Sequence, residues 1–95
     1  MNVTISARHC EIPDSLRDAT ERRINRLGRY NPRLADAEVT YEIENVSHEV
    51  EIRLAVHGDE PVVARGTGED FTVALRRGID RATRRLRRAR ERRIG

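Results

Sequence analysis

The chain has 95 residues, of which 37% are hydrophobic and 37% charged, with a mean hydropathy of −0.74. That leaves room for one modest core, so a single domain over residues 1–95 is expected and a multidomain enzyme is excluded. The net charge is +3, and no apolar run approaches the length of a membrane span.

Met1 to His9 lacks the unbroken apolar stretch of a signal peptide, so a soluble, cytoplasmic protein is expected. A lone cysteine, Cys10, excludes an intramolecular disulfide and fits a reducing compartment. All 19 basic residues are arginine. A GC-rich coding sequence also produces such a bias, so position matters more than number. Ten arginines lie between Arg76 and Arg93, against Asp80 and Glu91 alone. Between Ala37 and Glu60 the balance reverses: Glu38, Glu42, Glu44, Glu49, Glu51, Asp59 and Glu60 face only Arg53.

In chain order, Val3, Ile5 and Ala7 alternate with Asn2, Thr4 and Ser6, the pattern of a half-buried strand. Pro13 and Asp14 open a helix, with the acid near the positive end of the dipole. Leu16, Ala19, Thr20, Ile24, Leu27 and Tyr30 share one stripe of it, so the helix is expected to run to about Tyr30. Asn31-Pro32 stops it there.

Three strands follow. Val39, Tyr41 and Ile43 alternate with Glu38, Thr40, Glu42 and Glu44; after a loop at Asn45–His48, Val50, Ile52, Leu54 and Val56 alternate with Glu49, Glu51, Arg53 and Ala55. Pro61 permits only the start of the next strand, where Val62, Ala64 and Gly66 face inward. These small residues predict a helix close above. Gly68-Glu69-Asp70 starts the second helix, whose stripe is Phe71, Ala74, Leu75, Gly78, Ile79, Ala82, Leu86 and Ala89. Its arginine-rich C-terminus reads as a frayed end.

The order β-α-β-β-β-α, with one-sided strands and two amphipathic helices, predicts an α+β two-layer sandwich. A four-stranded sheet carries both helices on one face, as in double-stranded-RNA-binding domains. The uncovered face is then acidic: Glu38, Glu42, Glu44, Glu49 and Glu51, relieved by Arg53 and Arg65.

The second helix places Arg77, Arg81, Arg84, Arg88 and Arg92 at i, i+4, i+7, i+11 and i+15, on one flank, with Arg85 at its boundary. Arg76, Arg87 and Arg90 lie on the opposite flank or outer face. The first helix has Arg22, Arg26 and Arg29 in a shorter stripe, with Arg23 beside the apolar face. A charged helix face is ordinarily a solvated face in which opposite signs support each other at i, i+4. Arginines stacked at that spacing repel by a few tenths of about 1 kcal/mol per pair, so an anion such as phosphate is the expected partner.

The only aromatics are Tyr30, Tyr41 and Phe71, and the last two belong to the core. A sheet without aromatics and rich in glutamate cannot stack bases as RNA-recognition motifs do. The acidic start of the second helix also departs from the basic start usual in duplex-RNA binders. Backbone recognition of a folded RNA by helix flanks remains. No catalytic residues, metal site, cofactor or small-molecule substrate are expected. Cys10 adjoins His9, but neighbouring strand residues point to opposite faces, and His48 and His57 have no carboxylates at ligand spacing.

The segment Val3 to Arg17, the basic positions Arg23 and Arg26 followed by Leu27 and Tyr30, and Gly68-Glu69-Asp70-Phe71 together resemble ribosome hibernation promoting factors. These are also called ribosome-associated inhibitors or sigma-54 modulation proteins. Ile79-Asp80-Arg81, Arg84-Arg85-Leu86 and the alternate Arg88, Arg90 and Arg92 are similar to that family's ending. The resemblance covers the whole chain. It implies a ribosome-binding domain of the small-subunit neck that contacts 16S rRNA and occludes the mRNA channel and the A and P tRNA positions. Translation would be silenced by occupancy in stress or stationary phase, on 70S or 100S ribosomes. It implies RNA contact by Arg23, Arg26, Arg81, Arg88, Arg90 and Arg92; the helical wheel adds Arg22, Arg29, Arg77, Arg84 and Arg85. Arg76 stands where the family often has an acid, and Arg85 where it often has glutamine. Off the ribosome a monomer is expected, either a short-form protein or the N-terminal domain of a long form. The alternative is a protein-interaction module using the acidic sheet or an edge strand.

Overall fold

Period-two alternation and two apolar helix stripes assemble as expected. A computed structural model of the chain describes residues 1–94, and the side chains of residues 1–92. The elements are β1 (Asn2–Arg8), α1 (Asp14–Arg26), a 3-10 turn (Leu27–Arg29), β2 (Leu34–Glu44), β3 (Ser47–Val56), β4 (Val62–Gly68) and α2 (Phe71–Ile94). The sheet order is β1-β2-β3-β4. β1 runs parallel to β2, which requires a crossover, and α1 supplies it. The other pairs are antiparallel hairpins.

Register puts Ile5 beside Val39, Val39 beside Ile52 and Ile52 beside Ala64, one continuous inward row. Ile24 and Leu27 from α1 and Leu75, Ile79, Ala82 and Leu86 from α2 close over it. Both helices therefore cover one face. α2 lies chiefly over β4, and Gly66 and Ala64 leave it the space to do so. Asp70 caps α2, its Oδ1 accepting from the Val73 amide at 2.9 Å.

Four expectations change in detail. The α-helix ends at Arg26 and tightens into a 3-10 turn around Gly28, because glycine holds α-helix poorly and the chain must turn there to bury Asn31. The expected loop at Asn45–His48 shrinks to Asn45 and Val46. Asn45 adopts φ 57°, which asparagine tolerates, and Ser47 already pairs with Glu44. Ile43 lies beyond the helix cover and is 40% exposed, next to Val46 at the hairpin tip. Finally, the arginine-rich end remains helical to Ile94.

Candidate nucleic-acid interface

α2 is amphipathic with two basic flanks, and each meets a different neighbour. One overhangs β4, an edge strand. There the guanidinium Nη1 of Arg77 donates to the Thr67 carbonyl (2.8 Å) and that of Arg81 to the Arg65 carbonyl (2.7 Å). Nη1 of Arg85 donates to the Val63 carbonyl. Steps of four along the helix thus match steps of two along the strand. The carbonyls of an exposed edge are otherwise a template for another strand, and these arginines occupy them. At the opposite edge Arg17 of α1 donates to the Ile5 carbonyl of β1 (3.1 Å). Further along α2, Arg81, Arg84, Arg85 and Arg88 line one concavity of about 310 Å³. Arg85, Arg88 and Arg92 line the next with Pro61, Val62 and Val63.

The other flank of α2 faces α1. A groove of about 450 Å³ between the helices is lined by Arg23, Arg26, Leu27 and Tyr30 and by Ile79, Asp80, Thr83 and Arg84. It continues into a basin formed by Arg29, Tyr30, Arg87, Arg90 and Glu91. The Arg87 guanidinium lies 4.7 Å from the centre of the Tyr30 ring, a cation–π contact that fixes both side chains. Asn31 pins the end of α1 to α2: it donates to the Leu86 carbonyl (3.2 Å) and accepts from the Arg33 amide (3.0 Å).

Charge is segregated between the two faces of the molecule. Among the described residues the ion pairs are those of Arg65 with Glu49 (3.8 Å) and Glu51 (3.3 Å), both on the outer sheet face. The described arginines of α1 and α2 have no carboxylate within ion-pair distance. On the sheet, carboxylates crowd instead: a hydrogen bond with Glu44 raises the Glu49 carboxyl above its ordinary range, with smaller contributions from desolvation and the charges of Glu44 and Glu42, while Arg65 opposes.

Residues 3–94 match the family described as Sigma 54 modulation protein / S30EA ribosomal protein. The chain belongs to that family. It is 34% identical over 94 residues to the ribosome hibernation promoting factor of Azotobacter vinelandii, covering 99% of this chain and 87% of that protein. The factor of the same name from Escherichia coli K12 is 29% identical over 86 residues, with 90% of each chain covered. Among solved structures, the N-terminal domain of Thermus thermophilus Protein Y superposes with a TM-score of 0.84 at 28% identity, covering 95% of this chain and all of that one. A ribosomal subunit interface protein from Coxiella burnetii shares the fold, with a TM-score of 0.74 at 15% identity over 99% and 98% of the two chains. The resemblance read from the sequence is thereby established at the level of the family and the α+β fold.

In this member of the S30EA family the arginines named from the sequence divide three ways. Arg77, Arg81, Arg84, Arg85, Arg88 and Arg92 line the β4 side of α2. Arg23, Arg26, Arg29 and Arg90 line the inter-helix groove, which Arg84 also reaches. Arg22 is exposed and lines neither. Two groove residues were missed, Arg87 and Tyr30. The wheel had put Arg87 on the flank away from the main stripe; only the seating of α1 beside that flank makes it part of a surface.

The remaining reactive side chains are dispersed. Cys10 follows the end of β1, with Sγ 3.6 Å from the Tyr41 carbonyl. His9, at φ 57°, is exposed beside it. Both lie past the strand, so strand alternation, on which their separation was argued, does not apply to them. The His48 ring packs edge-on against Phe71 at 4.7 Å. Among the described residues no three His, Cys, Asp or Glu side chains gather as a metal-binding group, and no described helix is long and apolar enough to cross a membrane.

Proposed function

We propose that this S30EA-family chain is a ribosome hibernation factor. It binds the small ribosomal subunit through 16S rRNA near the mRNA channel and the A and P tRNA sites, and inhibits translation by occupancy, without catalysis. The observation that carries this reading is the segregation of charge: helical arginines that, among the described residues, have no carboxylate within ion-pair distance on one side, and an acidic sheet on the other. A phosphate backbone is drawn to the first and repelled by the second. The names of the relatives point the same way. Arg23, Arg26, Arg29, Arg77, Arg81, Arg84, Arg85, Arg88, Arg90 and Arg92 form the contact surface, with Arg22 at its margin. The factor acts in the cytoplasm on 70S or 100S ribosomes during stress or stationary phase, and is a monomer when free.

Cosedimentation with 30S and 70S particles tests the proposal. Binding at low salt should weaken as salt rises. With about six phosphates contacted, the slope of log K against log salt should lie near −4 to −5. Arg81→Glu with Arg88→Glu should abolish association in a protein that still folds, whereas Glu42→Lys with Glu51→Lys should not. The opposite pattern would favour a protein-interaction module built on the acidic sheet, and absence from ribosomal fractions at low salt would remove the proposal.

A further inference from the structure

Arg77, Arg81 and Arg85 use the same atom, Nη1, to reach the carbonyls of Thr67, Arg65 and Val63. Nη1 is the terminal nitrogen on the Cδ side of the guanidinium. The other side, formed by Nε–H and Nη2, is a fork that takes a phosphate through two parallel bonds. Among the described residues, no protein acceptor engages that fork in any of the three. All three side chains are exposed.

The spacing is fixed from two directions. Four residues of α2 advance about 6 Å, and two residues of β4 advance about 6.6 Å. Three carbonyls therefore hold three guanidiniums in an evenly spaced row, each by the nitrogen that leaves its fork unbonded. Phosphates along one nucleic-acid strand repeat on a similar scale. Holding the side chains in place beforehand also removes much of the rotamer entropy that long cations lose on binding.

We propose that Arg77, Arg81 and Arg85 form a three-rung ladder that binds three successive phosphates of a single RNA strand running along the open edge of β4. The proposal rests on the RNA-binding reading above and assigns one stretch of that surface a strand geometry. Arg84 and Arg88 line the adjoining concavity without bonds to strand carbonyls, so they act as untethered charges. Lysine separates the two roles. It keeps the charge, but its single nitrogen cannot present a planar fork to phosphate while bonded to the carbonyl.

The test compares two charge-conserving triple variants, Arg77→Lys/Arg81→Lys/Arg85→Lys and Arg84→Lys/Arg88→Lys/Arg92→Lys. Each is measured for binding to 30S subunits and to a labelled 15-nucleotide single-stranded RNA, with folding checked by circular dichroism. The ladder variant should lose at least fivefold more affinity for both probes than the other. A duplex of the same sequence should compete less well than the single strand. In wild-type protein titrated with the oligonucleotide, the Nε–H resonances of all three ladder arginines should shift together, a measurement that does not depend on any variant folding. Equal losses in the two variants, equal competition by the duplex, or unmoved Nε–H resonances would each overturn the ladder while leaving the RNA-binding helices in place. If wild-type protein binds neither probe, the ladder falls with the wider reading.

Discussion

Gly66 on β4 and Gly78 on α2 meet backbone to backbone. A Cβ built on Gly66 would lie 2.4 Å from the Gly78 nitrogen and 2.0 Å from the Ala74 carbonyl oxygen. No rotamer change relieves such a contact, because backbone atoms stand on both sides. Gly66→Ala must therefore lift α2 off β4, with an expected loss of about 3 kcal/mol, the upper end of overpacking effects. The same displacement would carry Arg77 and Arg81 away from their carbonyls. Gly28 is the contrast: a Cβ there meets nothing within 4 Å and its φ is not positive. Gly28→Ala should be neutral or stabilise by about 0.4–1 kcal/mol. Urea denaturation of the two variants checks both signs.

The Thr20 hydroxyl and the Tyr41 phenol are hydrogen-bonded in the core, and Thr20 also donates to the Leu16 carbonyl at 2.6 Å. That hydroxyl has one proton, so the phenol is the donor in the pair. Tyr41→Phe removes one hydrogen bond and leaves Thr20 bonded to its own helix, so a loss of about 1 kcal/mol is expected. Thr20→Val strands a buried phenol and should cost more, about 2–3 kcal/mol. Burial is the largest influence on the Tyr41 phenol and raises its pKa above 10.0, outweighing the charge of Arg23. The folded state thus keeps a proton that the unfolded chain releases first, and stability should fall as pH climbs past 10. That fall should be smaller in Tyr41→Phe, as thermal melts at pH 8 and pH 10.5 would reveal.

The fold was legible because its signals are local. Alternation around Val39 and Ile52 and the stripe from Ala74 to Ala89 each require only neighbouring residues. The small residues of β4 even announced the close helix that Gly66 and Gly78 permit. What escaped depends on contacts across the chain. Ile43 fits the inward alternation, yet no helix reaches it. Arg87 looks solvated until α1 sets Tyr30 beneath it. The strand-edge bonds of Arg77, Arg81 and Arg85 were hidden for the same reason: the wheel gives a flank, and only the sheet supplies its neighbour.

A hydrogen bond with Glu44, which needs a proton on one of the two carboxyls, is the largest influence on Glu49. Glu49 therefore holds its proton above its ordinary value of 4.5. A raised carboxyl binds protons more tightly in the folded chain than in the unfolded one, so its effect on stability is unfavourable once it ionises. Stability should decline as pH rises from about 4.5 through the raised value, with other groups held constant. Glu49→Gln supplies a permanent amide donor to Glu44 and removes the ionisation. The variant should melt slightly higher than wild type at pH 7, with the difference vanishing near pH 4. A constant difference across that range would show that Glu49 is not the group responsible.

Asn31 connects stability to the basic surface without carrying charge. Its side chain is 1% exposed and spans from the Arg33 amide to the Leu86 carbonyl of α2. Asn31→Ala removes the buried hydrogen bond to the Leu86 carbonyl and the acceptor of the Arg33 amide, and should destabilise by about 1–3 kcal/mol. Because it also frees the end of α1 from α2, Tyr30 would no longer be held against Arg87 in the basin that both line with Arg29 and Arg90. Affinity for 30S subunits should then drop several-fold although every arginine remains. The diagnostic is the salt dependence. Removing an arginine lowers the slope of log K against log salt by about 0.7–0.9, whereas Asn31→Ala should leave the slope unchanged while shifting the whole line to weaker binding. A changed slope would mean that a phosphate contact had been lost rather than left poorly aligned.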